Sequence, residues 1–326
     1  MTNSLLKKFI RNNAIVFILL NSAGLLSYIF QVVLGRTLPP DQYGSFNSLL
    51  ATGALITTPI TILHLVFSRF IARIKDQKLQ HIKSLLTLSL KFILCIALGI
   101  LLIGLSFSPW LKNFLNTETT LPIILMLLAA CFSSFQQIFI AVCEGMQRFL
   151  SLGMISGGGA LAKILFAILF VVILGWGVEG GLLALSFATF SALAYGIWQL
   201  QDVFKAQAVD LHSSSLMEMA RFSIPSFFMI TMVSIMCNID IVLARHYCPP
   251  DQAGYYATAT ILGRIAFFLP SSLLMVLFPS VAKATVSGSK DNHYLWVSLG
   301  LTFILSGGVF LVFFIAGQSI IQLFYG

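Results

Sequence analysis

The chain has 326 residues, 58% of them hydrophobic and only 9% charged. A soluble domain carries roughly 25% charged residues, so this chain cannot cover a water-facing surface, and lipid must be the solvent for most of it. The formal charge of +8 does not point to nucleic acid, because the Lys and Arg residues lie in short segments between apolar runs and not on one basic face.

In chain order, Lys7, Lys8 and Arg11 precede an apolar run from Ala14 to Leu34. That run is long for a signal peptide and no small-residue cleavage site follows it, so it reads as a first transmembrane helix. About 20 apolar residues cross a bilayer. Nine runs qualify, at 14–35, 45–67, 84–107, 121–143, 152–174, 181–200, 222–243, 256–281 and 294–315. Lipid offers no partner for backbone N–H and C=O groups, so such runs must be helices. Membrane strands would be about ten residues of alternating polarity. The class is therefore all-α integral membrane, a multi-pass helical bundle.

The basic residues orient it. With a cytoplasmic N-terminus, the inner segments hold Lys7, Lys8, Arg11, Arg69, Arg73, Lys75, Lys78, Lys83, Arg148, Lys205, Arg221, Lys283 and Lys290, and the outer loops hold Arg36, Lys112 and Arg245. Basic residues favour the cytoplasmic side. Trp110 and Trp176 fall at outer helix ends, where an indole straddles lipid and water. Cys95, Cys131, Cys143 and Cys237 lie inside apolar runs, Cys248 stands alone and no CxxC occurs, so these are structural thiols and not a disulfide or metal framework.

An internal repeat organises the chain. Pro39-Pro40-Asp41-Gln42-Tyr43-Gly44 recurs as Pro249-Pro250-Asp251-Gln252-Ala253-Gly254, an offset of 210 residues with five of six positions identical. The same offset pairs Arg11 with Arg221, Gly53 with Gly263, Ala72-Arg73 with Ala282-Lys283, and Phe114 with Phe324. A six-helix unit has both ends on one side, so the copies are expected to be parallel, about a pseudo-twofold along the membrane normal. The expected domains are a six-helix lobe at 1–200, a polar cytoplasmic linker at 201–221, and a partial second lobe at 222–326. Residue 326 corresponds to residue 116, so three helices of the second lobe are expected here and roughly 90 to 100 residues would complete it.

Several motifs then carry a resemblance. These are Val33-Leu34-Gly35-Arg36 and Pro40-Asp41-Gln42-Tyr43-Gly44, then Ser68-Arg69-Phe70-Ile71-Ala72-Arg73. They continue with Asn238-Ile239-Asp240-Ile241-Val242-Leu243-Ala244, Ala253-Gly254-Tyr255-Tyr256-Ala257-Thr258-Ala259 and Leu277-Phe278-Pro279. The chain resembles the oligosaccharide-lipid flippases of bacterial polysaccharide biosynthesis, whose superfamily includes multidrug and toxin extrusion transporters. The resemblance implies a multidrug-and-toxin-extrusion-like fold in the bacterial cytoplasmic (inner) membrane. It also implies an undecaprenyl-diphosphate-linked glycan as substrate, polysaccharide assembly proteins as partners, and no cofactor or metal.

Ionisable groups at membrane depth are functional candidates. Asp240 and Arg264 lie at similar depth on either side of the 249–254 turn and are expected to face each other, as a charged element of the cavity or as a salt bridge. Arg69 is either a contact for the diphosphate or a positive-inside anchor. Lys163, after Gly157-Gly158-Gly159, either lines the cavity or snorkels, and Lys91 is expected to snorkel. Asn21, Gln31, Asn47, Gln136 and Gln137 either bind sugar hydroxyls or hold helices together. His64 is a candidate proton carrier or a packed side chain. Gly153 and Gly157 permit close helix approach, and Pro59, Pro225 and Pro270 are expected to kink their helices.

Three functions compete, with a degenerate, inactive gene product as a fourth reading. A flippase would hide the sugar and diphosphate in a polar cavity by alternating access, with the lipid tail outside. An ion-coupled organic-cation antiporter needs buried carboxylates, whereas the membrane-depth charges are Asp240 against Lys91, Lys163 and Arg264, a balance suited to an anion. A membrane glycan polymerase or ligase needs a substantial outer loop with catalytic groups, and the outer loops are short. No paired carboxylates, metal-ligand cluster or nucleophile motif appears, so enzymatic function is not expected, and with no GxxxxGK[ST] phosphate loop neither is ATP hydrolysis.

Overall fold

The computed structural model describes residues 22–74, 79–209, 213–265 and 293–325. Among them every regular element is a helix. In chain order these are α1 (22–37), α2 (Pro40–Ala72), α3 (Leu79–Phe114) and α4 (Leu121–Gly145). Then come α5 (Phe149–Ala167, continued as a π turn over Ile168–Ile173), α6 (Gly177–Gln199), the short α7 (Gln201–Lys205), α8 (Ser213–Tyr247), α9 (250–265) and α10 (His293–Tyr325). Seven of the described helices are long and apolar enough to cross a membrane. The first and eighth apolar runs extend into residues outside those described, as do Lys75, Lys78, Pro270 and Lys283.

The helices outrun the hydropathy that announces them. The run at 45–67 becomes a 33-residue helix, α2. At 1.5 Å per residue it is about 50 Å long, against a hydrocarbon core of about 30 Å. Hydropathy sees only the lipid-crossing part; the ends carry polar groups into the interface. Pro40 starts α2 in its first turn, where the missing N–H costs nothing, and Asp41 follows, favourable at the positive end of the helix dipole.

The chain divides into two compact units, one up to Gly254 and one from Tyr255 onward. In the first, α2 is central. It packs on α4 and α8, α4 also packs on α3 and α6, and α5 packs on α6. Without a hydrophobic drive between helices in lipid, close approach depends on small residues. A Cβ on Gly145 of α4 would stand 2.7 Å from the Ile71 Cβ of α2, one on Gly181 of α6 would stand 2.8 Å from the Phe46 ring, and one on Gly196 would stand 3.1 Å from Phe139. Phe46, Ile71, Ile82, Leu86, Ile93 and Phe139 are buried where these helices cross. Thr58, beside Pro59 of α2, donates to the Ser234 hydroxyl of α8 at 2.7 Å.

Both copies of the repeated turn have one backbone geometry. Leu38 N–H donates to the Leu34 carbonyl at 2.8 Å and Tyr43 N–H to Pro39 at 2.9 Å; 210 residues on, Cys248 N–H donates to Ala244 at 3.0 Å and Ala253 N–H to Pro249 at 3.0 Å. The helix ends at residue 37 and restarts at 40 in one copy, and ends at 247 and restarts at 250 in the other. The two turns also touch. A Cβ on Gly44 would lie 2.8 Å from the Gly254 nitrogen and 2.9 Å from its Cα, and one on Gly254 would overlap the Pro40 carbonyl. A residue meeting its own counterpart is the mark of a two-fold relation, and both turns lie at one end of the bundle.

Arg245, expected in a loop, is instead in the last turn of α8 and only 6% exposed. Hydropathy ended the run at residue 243 because a guanidinium reads as polar whether or not its hydrogen bonds are met. Here Nε donates to the Leu115 carbonyl at 2.9 Å, Nη1 to Asp41 at 3.2 Å and Nη2 to Asn116 at 2.9 Å. Beside it, His246 stacks on Phe114 with ring centroids 4.2 Å apart. Trp110 stacks on the other side of this aromatic group, 5.0 Å from Phe114.

The opposite end carries ion pairs. Arg73, just past the end of α2, meets Glu218 of α8 at 2.6 Å. Arg148, between α4 and α5, grips Asp202 of α7 through both guanidinium nitrogens, Nη1 at 3.0 Å. The hydrogen bonds from Arg148 hold the Asp202 carboxyl below its ordinary value of 3.8. A depressed carboxylate stabilises the fold above its unfolded pKa, and that contribution is lost as pH falls through the lower, folded value. Asp202 is 41% exposed, so screening keeps the pair weak. Asp202→Asn is expected to cost under about 1 kcal/mol, measured by thermal unfolding in detergent. The difference from wild type should vanish well below pH 3.8; a cost that persists there would refute the assignment.

Candidate functional site

In the first unit a cleft of about 260 Å³ lies between α2, α4, α5 and α6. Its polar lining is Lys163 with the hydroxyls of Thr57, Ser133 and Thr189; Gly53, Leu50, Met126 and Leu182 supply apolar wall. Lys163 lies on α5, which Gly159 brings against α6, where an added Cβ would meet Ala192 at 3.2 Å. The Lys163 ammonium sits over the Phe30 ring of α1, 5.4 Å from its centroid, an attraction of the ring's negative face for a cation. Among the described residues no carboxylate forms an ion pair with it.

The three hydroxyls are committed as donors to their own helices. Thr57 donates to Gly53 at 2.9 Å, Ser133 to Ala130 at 2.9 Å and Thr189 to Leu185 at 2.9 Å. Each keeps lone pairs. The cavity therefore offers one cation and several acceptors, a set that suits an anion attached to hydroxyl donors. Its volume is just under the roughly 300–1,000 Å³ of ligand pockets, so it can hold a headgroup fragment and not a whole oligosaccharide.

The other sequence candidates fall elsewhere. Gln31 accepts from the Tyr43 hydroxyl at 3.2 Å, and Asn47, buried, donates to the Tyr43 carbonyl at 2.9 Å. Gln136 of α4 faces the backbone of α5 at Gly159. Arg69 is exposed near the end of α2, its guanidinium 4.1 Å from the centroid of the Phe222 ring of α8. Asp240 lies on α8 in the first unit and Arg264 on α9 in the second. Asn21 lies outside the described residues. Of these candidates, the cavity lining includes Lys163 alone.

One constellation was not legible beforehand. His64 of α2 meets Glu144 of α4, Nε2 to carboxylate oxygen 3.0 Å, beside the tight crossing at Gly145. His64 alone was visible in the sequence; Glu144 sits at the end of an apolar run where it reads as a boundary residue. The π turn of α5 was equally silent: it lets Trp176 N–H reach the Phe170 carbonyl at 3.0 Å and brings those two rings into a stack at 5.5 Å.

A membrane-spanning helical bundle with a polar cavity among its helices defines an integral, multi-pass membrane protein. The chain belongs to the polysaccharide biosynthesis protein family, whose profile matches residues 10–285. No curated protein matches it. Among solved structures it is similar to an inward-facing multidrug resistance MATE family transporter of the MOP superfamily. There the TM-score is 0.75 and the identity 14%, over 92% of this chain and 71% of that one. It is also similar to the MATE multidrug transporter DinF-BH, with a TM-score of 0.70 and 15% identity, over 95% of this chain and 73% of that one. At such identities the likeness shows the fold.

Proposed function

We propose that this chain flips an undecaprenyl-diphosphate-linked oligosaccharide across the bacterial cytoplasmic membrane, from the inner to the outer leaflet. In this reading the N-terminus is cytoplasmic, so the end bearing Arg73 and Arg148 faces inward and the end bearing the repeated turns faces outward. Two lobes, 1–200 and 222–326 joined by the 201–221 linker, alternate access to a shared path. The single observation that carries the reading is the Lys163 cavity: an ammonium among hydroxyl acceptors attracts a diphosphate-bearing glycan and repels an organic cation. Family membership supports the glycan, and polysaccharide assembly proteins are its proposed partners.

The test is transbilayer movement of a lipid-linked oligosaccharide in proteoliposomes. Lys163→Met is expected to lower the flipping rate by about tenfold or more, since a charge-assisted contact contributes about 1.5–3 kcal/mol. It should leave the fold intact or stabilised, because an ammonium inside a membrane bundle costs free energy. Lys163→Arg should retain part of the activity. Wild-type rates in Lys163→Met would remove this cavity from the path.

The His64–Glu144 pair favours a second reading, an ion-coupled antiporter of organic cations, because such a pair can exchange a proton. The same proteoliposomes separate the two. Proton-driven efflux of an organic cation, abolished by Glu144→Gln, with no lipid flipping, would select the antiporter.

A further inference from the structure

A second cavity lies on the other side of α2 from the Lys163 site, along the seam between α2, α3 and α8. It is a groove of about 340 Å³ lined by Pro59, Leu63, Phe92, Ile96, Ile224 and Phe227, with almost no polar surface. At its basic end the seam becomes polar. Arg69 lies over Phe222, next to the groove residue Ser223. Beyond that is a smaller pocket of about 230 Å³ containing Arg73, His81 and Glu218. Glu218, the carboxylate of that pocket, is already bonded to Arg73 at 2.6 Å. No carboxylate pairs with Arg69 among the described residues, so its planar fork of donors is left for an outside acceptor.

The seam thus has the polarity profile of one lipid molecule, hydrocarbon at membrane depth and a guanidinium at the interface. From Pro59 to Arg69 is ten positions on α2, about 15 Å along the helix. The head is selected by charge: a diphosphate carries more negative charge to the Arg69 fork than the single phosphodiester of a phospholipid. We infer that this seam is the docking site of a polyprenyl diphosphate carrier, with its chain in the α2–α3–α8 groove and its diphosphate at Arg69. The inference rests on the flippase reading and adds to it the place where the carrier is held before its headgroup moves. Pro59 lines the groove at the end of it farther from Arg69 along α2.

The test is photo-crosslinking of full-length protein in phosphatidylcholine nanodiscs, with a prenyl diphosphate bearing a diazirine on its chain, followed by peptide mapping. Label is expected on 92–96 of α3 and 223–228 of α8. Excess unlabelled prenyl diphosphate should compete, and phosphatidylglycerol at the same concentration should not. Arg69→Gln should lower labelling about tenfold, the value of one charged contact, and Ile224→Trp, which fills the groove and leaves Arg69 in place, should lower it as well. Unchanged melting temperatures would establish that both variants fold. Label mapping elsewhere, or equal competition by phosphatidylglycerol, would overturn the docking site and leave the flippase reading standing. Failure of the probe to bind anywhere on the protein would overturn both.

Discussion

Gly254→Ala is expected to destabilise the protein by about 3 kcal/mol, although it adds a single methyl group. That methyl would overlap the carbonyl of Pro40, and the reciprocal change at Gly44 would bring a Cβ within 2.8 Å of the Gly254 nitrogen. A clash with the end of a flexible side chain is relieved by rotation. Here the obstacle is the backbone of the first turn of α2, whose Pro40 has a fixed φ, so a whole helix would have to shift. The loss should appear as a lower melting temperature in detergent and lower abundance in membranes. Gly158→Ala on α5, where a Cβ meets nothing within 4 Å, is the control; it should be neutral or stabilising by up to about 1 kcal/mol through helix propensity. Because the two glycines share one contact, the double variant should fall short of the sum of the singles. If Gly254→Ala melts with Gly158→Ala, the two repeated turns are not in contact in solution.

Arg245→Ala should be comparably severe, at about 2–4 kcal/mol, because it strands three backbone carbonyls that one guanidinium satisfies. Those carbonyls belong to Asp41, Leu115 and Asn116, so Arg245 joins the end of α8 to the start of α2 and the end of α3. Arg245→Lys keeps the charge and loses the planar fork, and should recover less than half of the loss. Cys248, a free and half-buried thiol three residues further on, gives a local readout. Its alkylation rate should rise in Arg245→Ala as the end of α8 loosens. Unchanged alkylation and melting would show that the three hydrogen bonds hold nothing together.

How much of this was legible in the sequence differs by element. The α2 helix was announced by its apolar run but extended at both ends, because propensity and capping carry a helix past the hydrocarbon. The α1–α2 and α8–α9 turns were recognisable as one motif, since Pro-Pro-Asp at fixed spacing imposes its conformation locally; that Gly44 touches Gly254 was not. Lys163 stood out because an ammonium in an apolar run is costly wherever it lies, but its company, Phe30, Thr57, Ser133 and Thr189, comes from four other helices. Arg245 was read as a loop residue because only its distant carbonyl partners make it interior, and Glu144 gave no signal because only His64, on another helix, gives it a role.

The sequence by itself determined that this chain lives in lipid, that it crosses as helices, and that its Pro-Pro-Asp-Gln turn recurs after 210 residues. These follow from the cost of putting backbone polar groups or too little charge in the wrong solvent, a cost set residue by residue. Only the tertiary structure decided which helices meet. The Lys163 cavity, the His64–Glu144 pair, the Arg245 clasp and the lipid-shaped seam each join groups far apart in the chain, as with the Arg245 side chain and the Leu115 carbonyl, 130 positions away. In a bilayer every helix face is apolar enough to meet every other, so hydropathy does not choose among packings. Glycine notches such as Gly145, Gly181 and Gly254 and a few satisfied polar contacts do.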